Sequence, residues 1–280
     1  MDKWKRSARL VDMTRILMGA PHKLIPLTTF SEKYSSAKSS ISEDLAIIEE
    51  VLSREGYGTL ETLTGAAGGV RYIPKINIEH AKKVVEQLCD HLSNPERILA
   101  GGFLYMSDLL GDVDLLDQIG HIWATVFAKE KIDAIMTVET KGIPLAYAVA
   151  YYLRVPVIIV RYDYRVTEGS VVTVNTVSGS SHKIKQLSLS KRSLQEGSRV
   201  LIIDDFMKAG GTIQGMIELL GEFNAEVVGV GVMVDSPATE KLVDSYVSLV
   251  KVTEINSKQR RVCVELGNFF DVEGETNEEN

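Results

Sequence analysis

The sequence predicts an α/β protein in two parts: a small helical module ending in a hairpin, then a larger module built on a parallel sheet. Three observations predict it. Apolar residues repeat at helical spacing through the first part of the chain, two short extended runs then meet at a glycine-rich tip, and from Asp117 strand-like and helix-like segments alternate. At 280 residues, with 45% hydrophobic and 25% charged, the chain has the length and composition of one large or two modest soluble domains.

Taken in order, Lys5 to Met18 forms the first helix, with Leu10, Met13, Ile16 and Leu17 on one face and Lys5, Arg6, Arg9 and Arg15 around the polar side. Gly19-Ala20-Pro21 ends it. Leu27-Thr28-Thr29-Phe30 opens a second helix with a threonine cap that runs to Tyr34. In the third helix Ile41, Leu45, Ile48 and Leu52 make a core-facing stripe, while Lys38, Ser39, Ser40 and Ser42 lie on the opposite face at its start. Gly58 to Thr64 and Val70 to Pro74 then make a hairpin whose tip is Gly65-Ala66-Ala67-Gly68-Gly69, with Arg71 beside it. Three helices and a hairpin are the winged helix-turn-helix plan, in which the third helix enters the DNA major groove and the wing lies over an adjacent groove or the backbone. Hydroxyls and a lysine at that helix start suit phosphate positioning with limited base readout. A helical module for protein contacts fits the same pattern.

Lys75 to Leu92 gives a further helix, and Asn94-Pro95 breaks it, so the modules are expected at 1–74 and 75–280. Gly101-Gly102-Phe103-Leu104-Tyr105 is either one wall of a ligand site or ordinary aromatic packing. Beyond it the expected elements are helix Ile119–Phe127, strand Ala134–Val138, helix Ile143–Tyr152, and strands Val157–Arg161, Val200–Ile203 and Val227–Val234. Ligands in such sheets bind beyond the carboxyl ends of strands. That rule brings together Glu139-Thr140-Lys141-Gly142, Arg161 and the segment Asp204 to Thr212.

The last of these carries the most chemistry. Val200-Leu201-Ile202-Ile203 reads as a buried strand ending in Asp204 and Asp205, with Phe206, Met207, Lys208 and Ala209 before Gly210-Gly211, and Thr212 opening a helix. Glycines and a helix start hold an anion by backbone amides, whereas adjacent carboxylates repel anions and accept hydrogen bonds from vicinal hydroxyls. A ribose 5-phosphate satisfies both. Thr140, Lys141 and Gly142 offer a hydroxyl, a cation and an approachable amide, the combination that holds a diphosphate. Between them the polar stretch 162–194 suggests a hairpin over Val171 to Val177, in which Ser180, Ser181 and neighbouring Lys183 and Lys185 either touch phosphates or are simply solvated.

Charge is uneven. Residues 1–75 carry eleven Lys/Arg against nine Asp/Glu, net +2, and the remainder nets −9 of the total −7. A polyanion partner is therefore expected for the first module alone. The acidic tail, from 271, reads as solvated. Two cysteines far apart, Cys89 and Cys263, give neither a zinc spacing nor an expected disulfide, so no metal ligands are assigned. Met1 to Arg9 is polar with no apolar run after it, and no stretch is long enough for a membrane helix, so a soluble cytoplasmic protein is expected.

The segment from Val200 to Thr212 resembles the phosphoribosyl-pyrophosphate (PRPP) loop of type I phosphoribosyltransferases, and Glu139-Thr140-Lys141-Gly142 resembles their pyrophosphate loop. Together with Ala37-Lys38-Ser39-Ser40-Ile41-Ser42-Glu43-Asp44 and Gly65 to Gly69, the chain resembles the purine-operon repressor (PurR) family of Gram-positive bacteria. The resemblance implies a bacterial, dimeric, DNA-binding repressor of purine synthesis and salvage genes, with a type I phosphoribosyltransferase-like domain that binds PRPP as inducer and has no transferase activity. It also implies competition by purine nucleotides, notably guanosine tetraphosphate. Enzymes with this loop commonly place Ala-Thr where Lys208-Ala209 stand here, so a phosphate-binding hydroxyl is lost and a cation gained. That change keeps anion binding while disturbing the Mg²⁺-PRPP geometry that turnover requires.

The expected mechanism is linkage. Lys38, Ser39, Ser40, Ser42, Arg71, Lys5, Arg6 and Arg9 grip double-stranded operator DNA, and PRPP, with Mg²⁺ if it carries it, occupies the sheet edge. The rivals are an active purine or xanthine phosphoribosyltransferase with a regulatory front module, and a DNA-binding protein whose second domain only dimerises.

Overall fold

Helix α1 (Arg6–Met18) buries Met13 and Leu17, four residues apart, which is why its apolar residues recur at that interval. In the computed structural model the described residues are 4–65, 68–163, 166–177, 184–238 and 240–270. The chain divides into two compact units, one of Met1–His80 with Tyr152–Arg154 and the other of Ala81–Tyr151 with Val155–Asn280.

In the first unit α2 (Leu27–Tyr34) and α3 (Lys38–Arg54) follow α1, and strands β1 (Gly58–Leu63) and β2 (Gly69–Pro74) pair antiparallel from Gly58↔Pro74 to Leu63↔Gly69. Ile41, Leu45, Ile48 and Leu52 of α3 close over Phe30, Tyr34, Leu60 and Val70 in one apolar cluster. Burial of that stripe, at about 1.5–3 kcal/mol per large side chain, is what fixes α3 in place. The α2 cap differs from expectation. The helix begins at Leu27 after Pro26, with no side-chain cap, because proline already sets the extended entry that a threonine cap would otherwise provide.

Helix α4 (Ile78–Leu92) carries the chain onward, and a 3-10 turn at Pro95–Arg97 takes its cap from Asn94, which accepts from the Glu96 amide at 3.0 Å. Segment 98–106 forms a single bridge, Ile98↔Leu104, and Arg97 pins it by donating to both oxygens of Asp108 at 2.8 and 2.7 Å.

The second unit holds a six-stranded sheet of β3 (Ala134–Val138), β4 (Val157–Val160), β7 (Arg199–Met207), β8 (Glu226–Asp235), β9 (Val247–Asn256) and β10 (Arg261–Leu266). Its order is β10-β9-β8-β7-β3-β4, parallel throughout except for the antiparallel β9–β10 pair at one edge. Helix α5 (Val113–Val126) begins six residues earlier than its apolar pattern suggested, because Asp112 accepts from the amides of Asp114 and Leu115 at 3.0 and 3.2 Å. One face of the sheet packs on α5, where Phe127 and Trp123 leave room only for Gly229 and Gly231. The other packs on α7 (Gly211–Gly221), joining Met136, Val160, Val200 and Ile202 to Ile213, Met216 and Leu220. Helix α6 (Gly142–Leu153) starts directly after β3. The two-stranded ribbon of β5 (Val171–Val177) and β6 (Ile184–Ser190) lies against α7, where a side chain at Gly215 would collide with Leu187 and Thr176.

Two features were not expected. Strand β7 continues past the acid pair to Met207, since β8 is long enough to pair with it through Met207↔Asp235. Strands β9 and β10 extend the sheet where no element had been assigned. Among the described residues no helix is long and apolar enough to cross a membrane, and no three His, Cys, Asp or Glu side chains gather as a metal site. The acidic tail from 271 lies outside the described residues.

Candidate functional site

At the carboxyl ends of β3 and β7 two cavities share Asp204, Phe206 and Thr212. The larger, ≈ 520 Å³, is lined also by Phe103, Lys185 and the run Met207 to Ile213; the smaller, ≈ 250 Å³, by Glu139, Thr140, Lys141, Tyr162 and Asp205. Sequence order explains the meeting. Parallel strands end on one edge, and the turns after them fall side by side.

Gly210 caps α7 with φ +87°, a backbone setting that side chains rarely adopt. Gly142 has a different reason for being glycine: a Cβ there would stand 2.1 Å from Thr137 Oγ1 and 3.1 Å from Asp204 Oδ1. The start of α6 can approach the acid pair only without a side chain. Burial, and then the neighbouring Asp205 charge, hold the Asp204 carboxyl well above its ordinary value. Burial also raises Asp205, although Lys141 pulls it back down. Burying two adjacent carboxylates is costly, and hydroxyl donors would relieve it. Tyr162 lines the smaller cavity with the acid pair and Thr212, and burial raises its phenol. Lys185 on β6 stands 4.5 Å over the Tyr162 ring, which brings a cation to the same edge.

Of the expected ligand contacts, Asp204, Asp205, Phe206, Lys208, Ala209, Gly210, Gly211, Thr212, Glu139, Thr140, Lys141 and Phe103 line these cavities, and Gly142 abuts them. Two of the expected contacts lie outside both cavities. Arg161 lines neither cavity: its Nη1 donates to Glu139 Oε2 at 2.9 Å and its Nε to Glu168 Oε1 at 3.0 Å, a brace that commits the guanidinium. Tyr105 is also outside both, exposed, with its carbonyl accepting from Arg97 at 2.9 Å. Ser180 and Ser181 lie outside the described residues. Sequence reasoning missed Tyr162, although the strand-end rule that selected Arg161 reaches it one residue later, and it missed Ser236, Pro237 and Ile255 of the larger cavity, which had no motif to mark them.

In the first unit the start of α3 presents Lys38, Ser39 and Ser42 to solvent with Ser40 half-buried, and the Ser42 hydroxyl donates to Lys38 O at 3.0 Å. Lys5 is exposed. Arg71 pairs across the hairpin with Glu61, its directly opposite residue, at 2.6 Å, and stays accessible. Arg6 donates to Asp44 at 2.9 Å while half-exposed. Arg9 is corrected outright: it is 7% exposed and donates to buried Asp44 and, at 3.1 Å, to Ser36, so it fastens α1 to α3 and does not face a partner. Burial alone would raise the Asp44 carboxyl; the bonds from Arg9 and Arg6 more than offset it and leave the carboxyl below its ordinary value.

The family described as "Bacterial purine repressor, N-terminal" matches residues 5–74, and "Phosphoribosyl transferase domain" matches 111–265. The chain is 58% identical to the purine biosynthesis transcriptional repressor PurR of Bacillus subtilis over 96% of this chain and 94% of that one. It is 45% identical to the purine biosynthesis transcriptional activator PurR of Lactococcus lactis over 95% and 98%. A xanthine phosphoribosyltransferase of Leuconostoc mesenteroides is 32% identical over 55% of this chain and 82% of that one.

Proposed function

The chain belongs to the PurR family of purine biosynthesis regulators, and from that premise we propose that PRPP, bound by its phosphoribosyltransferase-like unit, releases it from operator DNA. It is a DNA-binding transcriptional regulator of purine biosynthesis. Greater likeness to a protein named a repressor than to one named an activator, 58% against 45% identity, favours repression.

The observation that carries the effector reading is the buried acid pair where two adjoining cavities meet: Asp204 shares one with the glycine-capped start of α7, and both acids share the other with Thr140 and Lys141. Asp204 and Asp205 accept from the ribose hydroxyls, the amides before α7 take the 5-phosphate, and Thr140 to Gly142 take the diphosphate with any Mg²⁺ it brings. Phe103 and Phe206 leave an aromatic wall against which the base of a competing nucleotide, guanosine tetraphosphate among them, stacks. Winged units of a homodimer hold paired half-sites through the exposed starts of their third helices, Lys38 and Ser39 foremost.

The phosphoribosyltransferase fold serves regulation here and not turnover. An electrophoretic mobility assay on DNA upstream of purine genes tests the reading: PRPP lowers the bound fraction, and equal occupancy with and without it overturns the proposal. Likeness to a xanthine phosphoribosyltransferase makes pyrophosphate release from PRPP with xanthine, guanine or hypoxanthine the companion measurement. None is expected.

A further inference from the structure

The loop between β7 and α7 is fastened from behind. The Ser236 amide donates to Met207 O at 2.8 Å, Lys241 Nζ to Lys208 O at 2.6 Å, and the Leu242 amide to Ala209 O at 2.8 Å. Three successive carbonyls of the loop therefore point to the residues that follow β8. In a trans peptide the next N–H points the opposite way, so the amides of Lys208, Ala209 and Gly210 are turned away from this clasp. Among the described residues, none of those three amides donates a hydrogen bond outside helices and strands. Consecutive amides aimed in one direction form a concave anion-binding nest, and here it leads into the helix start at Gly211.

Lys241 is the one side chain in the clasp, and it is itself held. Its Nζ also donates to Ser236 O at 2.8 Å and to an oxygen of buried Asp235, whose other oxygen accepts from the Tyr246 hydroxyl at 3.0 Å. An ammonium has three protons to donate, and these three acceptors use them all. Burial, then the Asp235 charge, push the Tyr246 phenol up to about 12, so it remains a donor at neutral pH. Lys241 lines neither cavity.

We infer that Lys241 is a positioning residue for effector binding: it fixes the Lys208 peptide so that the amides of the loop are aimed at the effector phosphate before the effector arrives. This rests on the effector reading above. Loss of the ammonium frees the Lys208 carbonyl to rotate and scatters the nest, so affinity for a sugar phosphate falls although every contacting atom is still present.

Calorimetric titration with PRPP of the parent chain, Lys241→Met and Lys241→Arg tests it. The expected result is affinity at least tenfold weaker for K241M and restored to within about threefold by K241R, which keeps a cation with several donors. Parent-like affinity in K241M overturns the inference. No heat with the parent chain overturns instead the effector reading itself. Amide hydrogen exchange on the effector-free parent protein decides the matter even where K241M does not fold. Slow exchange at Ser236 and Leu242 before PRPP is added supports a nest set in advance; exchange at free-peptide rates, slowed only by PRPP, overturns it.

Discussion

Replacing Arg9 by methionine separates the two roles an arginine on α1 can have. Its side chain is 9% exposed and that of its partner Asp44 is 0% exposed, while Arg6, the other cation on Asp44, is 53% exposed. Arg9→Met keeps the side-chain bulk and leaves a fully buried carboxylate with one solvated partner, a loss of about 3–5 kcal/mol for breaking a buried pair. In a unit of this size each kcal/mol lowers the transition by about 4–8 °C, so a fall of at least about 12 °C is expected. Trp4 packs edge-on to Tyr34 of α2 at 5.2 Å, so its fluorescence reports this unit in a thermal scan. The lowered Asp44 carboxyl contributes stability above its unfolded value, about pH 3.9, and that contribution is lost as pH falls through the folded value. The gap between parent and variant is therefore widest at neutral pH and narrows in acid, where a protonated Asp44 tolerates burial. Operator affinity measured below the transition keeps its salt dependence in R9M, whereas Lys38→Ala, at an exposed position, leaves the transition unmoved and reduces the slope by about 0.9 for one lost phosphate contact. An R9M protein with the parent transition and a shallower salt slope would refute the assignment of Arg9 to the core.

Asp204→Asn is expected to abolish the PRPP response while raising the thermal midpoint of the effector-free protein. The carboxyls of the pair are raised in the folded state, so their ionised forms cost stability at neutral pH; the parent gains stability as pH falls toward the ordinary carboxylate value, and the advantage of D204N shrinks there. Gly142→Ala puts a methyl 2.1 Å from Thr137 Oγ1, and chemical denaturation should find it destabilised by about 1–3 kcal/mol as for other overpacked sites, with PRPP heat reduced or absent. Parent-like titration of G142A would show that the approach of α6 to the acids is not needed. Reciprocity supplies a further check: whatever factor PRPP takes from operator affinity, saturating operator duplex must take from PRPP affinity, and unequal factors in calorimetry would exclude simple linkage.

Much of the candidate site was legible because its parts are local. An apolar strand, two acids, glycines and a helix start occupy Val200 to Thr212 without a gap, and each residue type carries its own chemistry. What was illegible depends on distant pairs. Arg9 and Arg161 look like mobile cations in sequence, yet Asp44 lies 35 residues from the one and Glu139 22 residues from the other. Lys241 left no trace for another reason: two of its three partners are backbone carbonyls, which every residue has. Strands β9 and β10 had no motif to mark them, and what places them in the sheet is pairing of β9 with β8 and of β10 with β9.

A loop aimed in advance would account for the proposed affinity toward a sugar phosphate, but affinity alone releases no DNA. As the proposed effector, PRPP would shift operator occupancy only by the difference between its affinities for the DNA-bound and the free protein, since a ligand that binds both equally shifts nothing. A difference of about 1–3 kcal/mol suffices for a 5- to 150-fold change. That is smaller than the about 3–5 kcal/mol at stake in the Arg9–Asp44 pair alone. Release therefore need not dismantle the winged unit. On the proposed reading it is enough to change how Lys38 and Ser39 would meet DNA phosphates, with α1 still fastened to α3 by Arg9 and Asp44.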